Sequence, residues 1–364
     1  MKTLIFLFIF CFLISATTFE FIPVSHLVTI LIMLFLGLYY LIFKRGIIFF
    51  DKRFILFSLF LLIINISLIW SVNLKNSILF NLLFLEGVFI YLLANNFKYH
   101  LKKKVHLFIL VPFFIYIFAF ITSESTSINL YPYVYQFLPQ HGVGKTHLHI
   151  GDLAALFVLV SLYYLLLNKK KAFRVVFLVG IFVGFYIMLI SLSRTSTIMV
   201  IAGSYFLFKG LSTSLYANRF FKYFFIIAVV FVLFYISLDK SLLLSRPYFL
   251  QSLKGFFDYP LGVGLGNFEF ISKAYLTKET GYREFSTNTH NIFLEILSGV
   301  GVFSLLFFIW FYKVFSLAIF QNKSKEALLP RALFLALTIN FLFDITYTIP
   351  GMTWLWFLFL GLLV

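Results

Sequence analysis

Apolar stretches of the length needed to cross the hydrocarbon core of a bilayer, roughly 17–25 residues each, recur along the whole chain with short polar breaks between them. The pattern predicts about a dozen transmembrane helices, over residues 3–19, 22–43, 54–73, 77–94, 105–122, 150–167, 175–192, 196–210, 222–238, 291–319, 332–348 and 351–364. The expected fold class is therefore an all-α integral membrane protein, one polytopic domain over 1–364 with no appended soluble domain. The first apolar run, Lys2 followed by a hydrophobic stretch and Ser15-Ala16-Thr17, also has the form of a signal peptide. A retained helix is the favoured reading, because a second span follows at once.

Composition agrees with the pattern: 62% of residues are apolar and 12% charged, outside the range of soluble globular domains. The formal charge of +16 would suit nucleic acid only as a basic patch on a folded surface. Here the basic residues follow topology instead, so no nucleic-acid partner is expected. Loops after even-numbered helices carry Lys44, Arg45, Lys52 and Arg53, then Lys98 with Lys102 to Lys104, then Lys169 to Lys171 with Arg174. Lys209, Arg219 and Lys222, and then Lys323, Lys325 and Arg331, continue the series; with Lys2 and Lys313 it holds 20 of the 29 basic residues. The positive-inside rule then makes both termini cytoplasmic, in a membrane of the bacterial inner type. The two longest polar connections, 123–149 and 239–290, fall outside, and the second holds five of the 13 carboxylates, more than any other connection. Such connections are usually functional. The single cysteine, Cys11, lies inside the first apolar run and indicates neither a disulfide within the chain nor a thiol site.

Some motifs point nowhere. Gly142-Val143-Gly144-Lys145-Thr146 resembles the end of a phosphate-binding loop, but the required first glycine falls at Pro139 and no strand precedes it. His141, His147 and His149 share that loop without a Cys or carboxylate cage, so they read as solvated histidines and no metal is expected. Glu86 and Asp344 lie within predicted helices, where an ionisable group is costly. Each is assigned a hydrogen bond between helices. Trp354 and Trp356 read as interfacial anchors, and the many Phe and Tyr residues as mostly lipid-facing.

Three outer features carry candidate chemistry. Ser191-Leu192-Ser193-Arg194-Thr195-Ser196 separates two apolar runs with almost no loop, which puts Arg194 at the membrane boundary. A guanidinium there binds phosphate bidentately, as an ammonium cannot; the alternative is an arginine snorkelling to lipid head groups. The large loop holds Ser245-Arg246-Pro247-Tyr248 and then Asp258-Tyr259-Pro260-Leu261-Gly262-Val263-Gly264-Leu265-Gly266-Asn267-Phe268. Its glycine run lacks dinucleotide spacing and context, and implies a tight backbone path, one suited to close approach of a ligand. Third, Thr287-Asn288-Thr289-His290-Asn291 leads into the tenth helix, with Glu295 about one turn inside it. Thr287, Asn288 and Thr289 are all plausible caps. His290 at a helix N-terminus is expected to stay neutral and is a candidate general base, with a capping histidine as the alternative.

Together these blocks resemble the bacterial O-antigen ligase and polymerase proteins. The resemblance rests on Leu192-Ser193-Arg194-Thr195, on Arg246 with Tyr259 to Phe268, and on His290-Asn291-Ile292-Phe293-Leu294-Glu295-Ile296-Leu297 with Gly299-Val300-Gly301, and covers roughly residues 145–310. It implies a GT-C-type membrane glycosyltransferase that needs no metal or other cofactor and uses an undecaprenyl-pyrophosphate-linked glycan as donor. Arg194 and Arg246 would hold the donor pyrophosphate and His290 would activate the acceptor hydroxyl, with Tyr248, Asn267, Asn291 and Glu295 in support. A proline directly after Arg246 departs from the family pattern.

The acceptor stays open. Lipid A-core makes a ligase, another lipid-linked glycan a polymerase and a protein hydroxyl an oligosaccharyltransferase; the first two are favoured, since no extra domain for a protein acceptor is seen. The rival of another class is a lipid or glycan transporter without bond chemistry. Such folds usually show two related halves with broken helices at the midplane, whereas the polar residues here gather in one asymmetric loop. The topology has a direct check. With Cys11→Ser as background, a cysteine replacing Lys170 should resist an impermeant maleimide in whole cells, and one replacing Thr287 should react; labelling at 170 would overturn the orientation.

Overall fold

The computed structural model describes residues 52–114, 148–191, 193–211, 247–276, 285–321 and 324–364, with isolated positions 31, 35 and 117. The first and ninth expected spans, the second apart from positions 31 and 35, and Arg246 lie outside the described residues, as does nearly all of 123–149. Among the described residues there is no strand. Helix α1 (Lys52–Ile66) runs into a 3-10 turn, Ser67–Trp70, and α2 spans Leu74–Asn96. A helical bundle follows in α3 (Leu148–Leu167), α4 (Lys171–Ser191) and α5 (Arg194–Leu211). Two shorter helices, α6 (Tyr248–Asp258) and α7 (Phe268–Ala274), precede α8 (Ile292–Val300) and α9 (Ser304–Ser316). The chain closes with α10 (Leu328–Phe343) and α11 (Pro350–Leu363).

Among the described residues, five helical runs are long and apolar enough to cross a membrane: Leu74–Asn96, Ile150–Leu167, Lys171–Ser191, Ile292–Gln321 and Lys325–Phe343. The protein is an all-α membrane protein. Its helices satisfy their own backbone hydrogen bonds, which hydrocarbon cannot do for them. In the bundle, α3 packs on α4 and α5, α5 on α10, α2 on α11, and α1 on α9.

The aromatic residues do more than face lipid. Phe57 stacks on Trp310 with centroids 4.1 Å apart, and Phe60 meets Phe307 at 5.2 Å and Phe84 at 5.7 Å. Trp356 stacks on Phe311 at 5.8 Å and lies edge-on to Phe357 at 5.0 Å. The expectation that Trp354 and Trp356 anchor at the interface is wrong, because both are buried against protein. Each indole N–H has a partner inside, as a buried Trp requires: Trp354 donates to Glu86 Oε2 at 2.9 Å and Trp356 to Thr338 Oγ1 at 2.9 Å. Glu86 thus makes the hydrogen bond between helices expected of it, from α2 to α11.

The 239–290 connection is not irregular throughout, since α6 and α7 lie within it. On α6, Tyr248, Gln251, Ser252 and Gly255 turn inward at helical spacing and pack on α8 and α7. The expected 291–319 helix is also interrupted: α8 stops at Val300, Gly301 takes φ +56°, and a 3-10 turn leads to α9. The glycine run fills that break. Val263 N–H donates to Ser298 O (3.1 Å), Gly264 N–H to Gly299 O (2.8 Å) and Val302 N–H to Pro260 O (2.9 Å). Carbonyls at the end of α8 that have no helical partner are satisfied in this way. The close approach expected of the glycines is therefore to the protein's own backbone. A Cβ on Gly301 would lie 1.9 Å from Pro260 O, and one on Gly262 2.3 Å from Gly299 O. Gly301→Ala should cost about 1–3 kcal/mol through overpacking alone, read as a clear fall in the temperature at which detergent-solubilised protein loses monodispersity; an unchanged value would mean that the Pro260 contact yields freely.

Candidate functional site

The reversals joining α4 to α5 and α10 to α11 meet the first turns of α3 and α8 at one end of the bundle. At their centre is Asp152, in the second turn of α3 and fully buried. Its Oδ1 accepts from Ser196 Oγ (2.7 Å), Ser193 Oγ (3.0 Å) and Thr195 Oγ1 (3.2 Å), and its Oδ2 from Thr346 Oγ1 (3.2 Å). Gly151 permits this proximity, since a Cβ there would lie 2.1 Å from Ser191 Oγ. Ser193 also caps α5, its Oγ accepting from Ser196 N–H at 3.2 Å. Arg194 is thereby fixed as the first residue of α5, with an exposed side chain. A cation at the positive end of a helix is unfavourable by itself, so the position suits an anionic partner held by both.

His290 lies on the neighbouring loop. Its backbone is left-handed, φ +56°, a sparsely populated region for a residue with a Cβ, and its ring stacks on Tyr248 with centroids 5.0 Å apart and planes 12° from parallel. None of Thr287, Asn288 or Thr289 caps α8, and neither does His290. The cap is Asn291, whose extended backbone lets its side chain accept from Phe293 N–H (2.9 Å) and Leu294 N–H (3.2 Å). Its Nδ2 also donates to Leu342 O at 3.0 Å, tying the loop to the end of α10. His290 therefore precedes the helix instead of opening it. Glu295 is buried, and its Oε2 accepts from Thr289 N–H and Tyr347 Oη, both at 3.0 Å; it holds the His290 loop from beneath.

A chain of polar contacts links the two regions. Thr195 Oγ1 lies 3.2 Å from Asp344 Oδ2, and Asp344 Oδ1 accepts from Ile345 N–H at 2.7 Å, opening the 3-10 turn Ile345–Thr348. Three residues on, Tyr347 Oη reaches Glu295 and lies 3.3 Å from Thr289 Oγ1. Thr195 has a single hydroxyl hydrogen, so its oxygen lies equally near Asp152 and Asp344 but makes one full donor bond at a time.

Of the residues singled out in the sequence, His290 and Tyr248 are in direct contact, Asn291 and Glu295 secure the loop, and Arg194 joins them through the Thr195 chain. Asn267 belongs elsewhere: its buried Nδ2 is within 2.9 Å of Ser71 Oγ and of Val263 O and 3.1 Å of Ser77 Oγ, pinning the glycine run to α2. His149 falls in the first turn of α3, while His141, His147 and the Gly142–Thr146 motif lie outside the described residues. Among the described residues, no three His, Cys, Asp or Glu side chains group as metal ligands. Near the far end of α6, Tyr275 donates to Asp258, which together with burial pushes its phenol up to about 12. The phenol stays a donor at neutral pH and joins the ends of α6 and α7.

Sequence reasoning missed Asp152. The available signal was an aspartate inside an apolar run, the criterion that selected Glu86 and Asp344. The hydroxyls around it were visible in the Ser193–Ser196 block but carried no assignment. No family model and no curated protein matches this chain.

Asp152→Ala would strand the buried hydroxyls of Ser196 and Thr346, each at about 1–3 kcal/mol if left unpaired, while Ser193 and Thr195 keep each other and Asp344. It should destabilise the solubilised protein far more than Ser193→Ala, with Asp152→Asn between them. Equal thermal shifts for Asp152→Ala and Ser193→Ala would show that the hydroxyls find other acceptors.

Proposed function

We propose that this protein is a membrane glycosyltransferase of the O-antigen ligase and polymerase kind, moving a glycan from an undecaprenyl-pyrophosphate donor to an acceptor hydroxyl at the extracytoplasmic face. One observation carries the reading: the arginine turn and the histidine loop, far apart in sequence, are tied together through Thr195, Asp344, Tyr347 and Glu295. The sequence resemblance supplies the chemistry.

Outside the cytoplasm no nucleotide sugar is at hand, so the donor must arrive already activated. The acceptor oxygen bonds to the anomeric carbon as the bond from that carbon to the pyrophosphate oxygen breaks, with inversion. Arg194 and Arg246 offset the charge gathering on the leaving pyrophosphate, and the N-terminus of α5 adds its positive partial charge. Fixed charges of this kind usually supply the largest share of such catalysis. His290 takes the hydroxyl proton, a contribution of about 10²–10⁴ in rate. Tyr248 holds the imidazole plane, and Glu295 and Asn291 hold its loop. The reading involves no metal ion.

Reconstitution with radiolabelled undecaprenyl-pyrophosphate glycan tests it, with lipid A-core and a second lipid-linked glycan as acceptors. Transfer to the first defines a ligase, and to the second a polymerase; no transfer to either would sink the proposal. His290→Asn should fold well, because Asn tolerates the left-handed conformation, and should bind donor yet transfer it at least about a hundredfold more slowly. The native rate should fall toward acid pH as the imidazole is protonated. Arg194→Lys keeps the charge but loses the bidentate fork and most of the activity. Near-native turnover in both variants would remove the assigned roles.

A further inference from the structure

The loop bearing the glycine run shows bulky apolar side chains where a purely aqueous loop would not. Phe257, at the end of α6, is 77% exposed, Leu261 50% and Tyr259 36%. Two stripes run up to this tip. On α1 and the turn after it, Ile55, Leu59, Leu62, Ile66 and Ile69 are exposed at alternating four- and three-residue spacing, which is one helix face. On the neighbouring α9 and the turn before it, Val302, Leu305, Ile309 and Tyr312 repeat the pattern. The two helices pack through Phe57, Phe60, Phe307 and Trp310, so their outward stripes belong to one apolar wall.

The tip is fastened to the top of both stripes. Trp70 Nε1 donates to Leu261 O at 3.1 Å and Val72 N–H to Val263 O at 3.1 Å, joining it to the end of the α1 stripe. Val302 N–H donates to Pro260 O at 2.9 Å, joining it to the start of the α9 stripe. Exposed apolar surface thus extends from the helix stripes onto the loop, interrupted at the tip by the exposed Asp258, with Trp70 and Tyr259 at the join, where amphipathic rings settle at a bilayer interface.

We infer that the Phe257–Leu261 tip is a membrane-contacting element, its apolar side chains dipping into the head-group and upper acyl region of the leaflet on that side of the bilayer. The occupant is the lipid surface itself. Helix α6 then bridges two levels: Phe257 sits in the leaflet at one end, and Tyr248 stacks on His290 at the other. The nine residue steps from Tyr248 to Phe257 separate them by about 13.5 Å at 1.5 Å per residue, which bounds the height of the His290 loop above the lipid.

The inference concerns depth, so its readout is independent of catalysis. In the Cys11→Ser background, single cysteines replacing Phe257, Leu261, Leu305 or Thr287 are labelled with an environment-sensitive fluorophore, and the full-length protein is reconstituted in vesicles containing spin-labelled phosphatidylcholine. Labels at 257 and 261 should shift their emission to the blue and lose fluorescence to head-group-proximal and shallow acyl spin labels, while Leu305, on the helix stripe, responds to deeper ones. Thr287, on the exposed part of the histidine loop, supplies the aqueous reference. Labels at 257 and 261 that match Thr287 would overturn the inference. So would a blue shift without lipid quenching, which would mean that protein covers the tip.

Discussion

A buried carboxylate in an apolar bundle must be surrounded by hydrogen-bond donors, and at this end of the molecule that requirement organises the rest. Asp152 meets it with four hydroxyls from two chain reversals, the Ser193–Ser196 turn and the Thr346 corner. Packing of α5 on α10 brings the two reversals to the same end of the bundle. The carboxylate gathers them, and Gly151 removes the side chain that would stand between. Arg194 projects from one reversal, and Tyr347, on the other, supports the His290 loop. The positions of both candidate functional groups therefore descend from one polar residue that touches neither.

The second organising element is the glycine run, which works by backbone instead of side chain. Helix α8 ends where no water would reach its terminal carbonyls, and a strand-like pass of loop supplies the N–H groups at Val263 and Gly264. The left-handed values at Gly262, Gly264 and Gly266, from +74° to +87°, turn successive peptide planes toward α8 on one side and α2 on the other. Asn267 closes the arrangement against Ser71 and Ser77. A sequence feature that invited a ligand reading is here the seam between a loop layer and the bundle.

Much of the scaffold was legible because hydrophobic length and periodicity are local properties. The helices at α2, α3, α4 and α10 follow from their apolar runs, and Glu86 was assigned its kind of partner, though not Trp354 itself. Which apolar face meets lipid and which meets protein is set by the neighbours, and Trp354 and Trp356 were misread for that reason. Cap assignment failed in a similar way: four residues before α8 have side chains that cap, and only backbone geometry selects Asn291. The stack of Tyr248 on His290 joins residues 42 positions apart, a distance no local pattern spans. Proximity of the three motif blocks was suggested only by resemblance; the hydroxyl and carboxylate chain between them became visible in three dimensions.

The break at Gly301 bears on how the protein fits its bilayer. The apolar run Ile292–Gln321 has 30 residues, and as one straight helix it would extend about 45 Å, well beyond a hydrocarbon core of about 30 Å. A helix of that length must tilt steeply or thicken the lipid around it. With the first part turned aside against α6 and α7, the helical stretch from Ser304 to Gln321 is about 27 Å long, close to the thickness of an ordinary hydrocarbon core. Hydrophobic mismatch is thereby relieved within the chain. A change in membrane thickness would load α9 and the hinge at Gly301 before it strained the loop layer above.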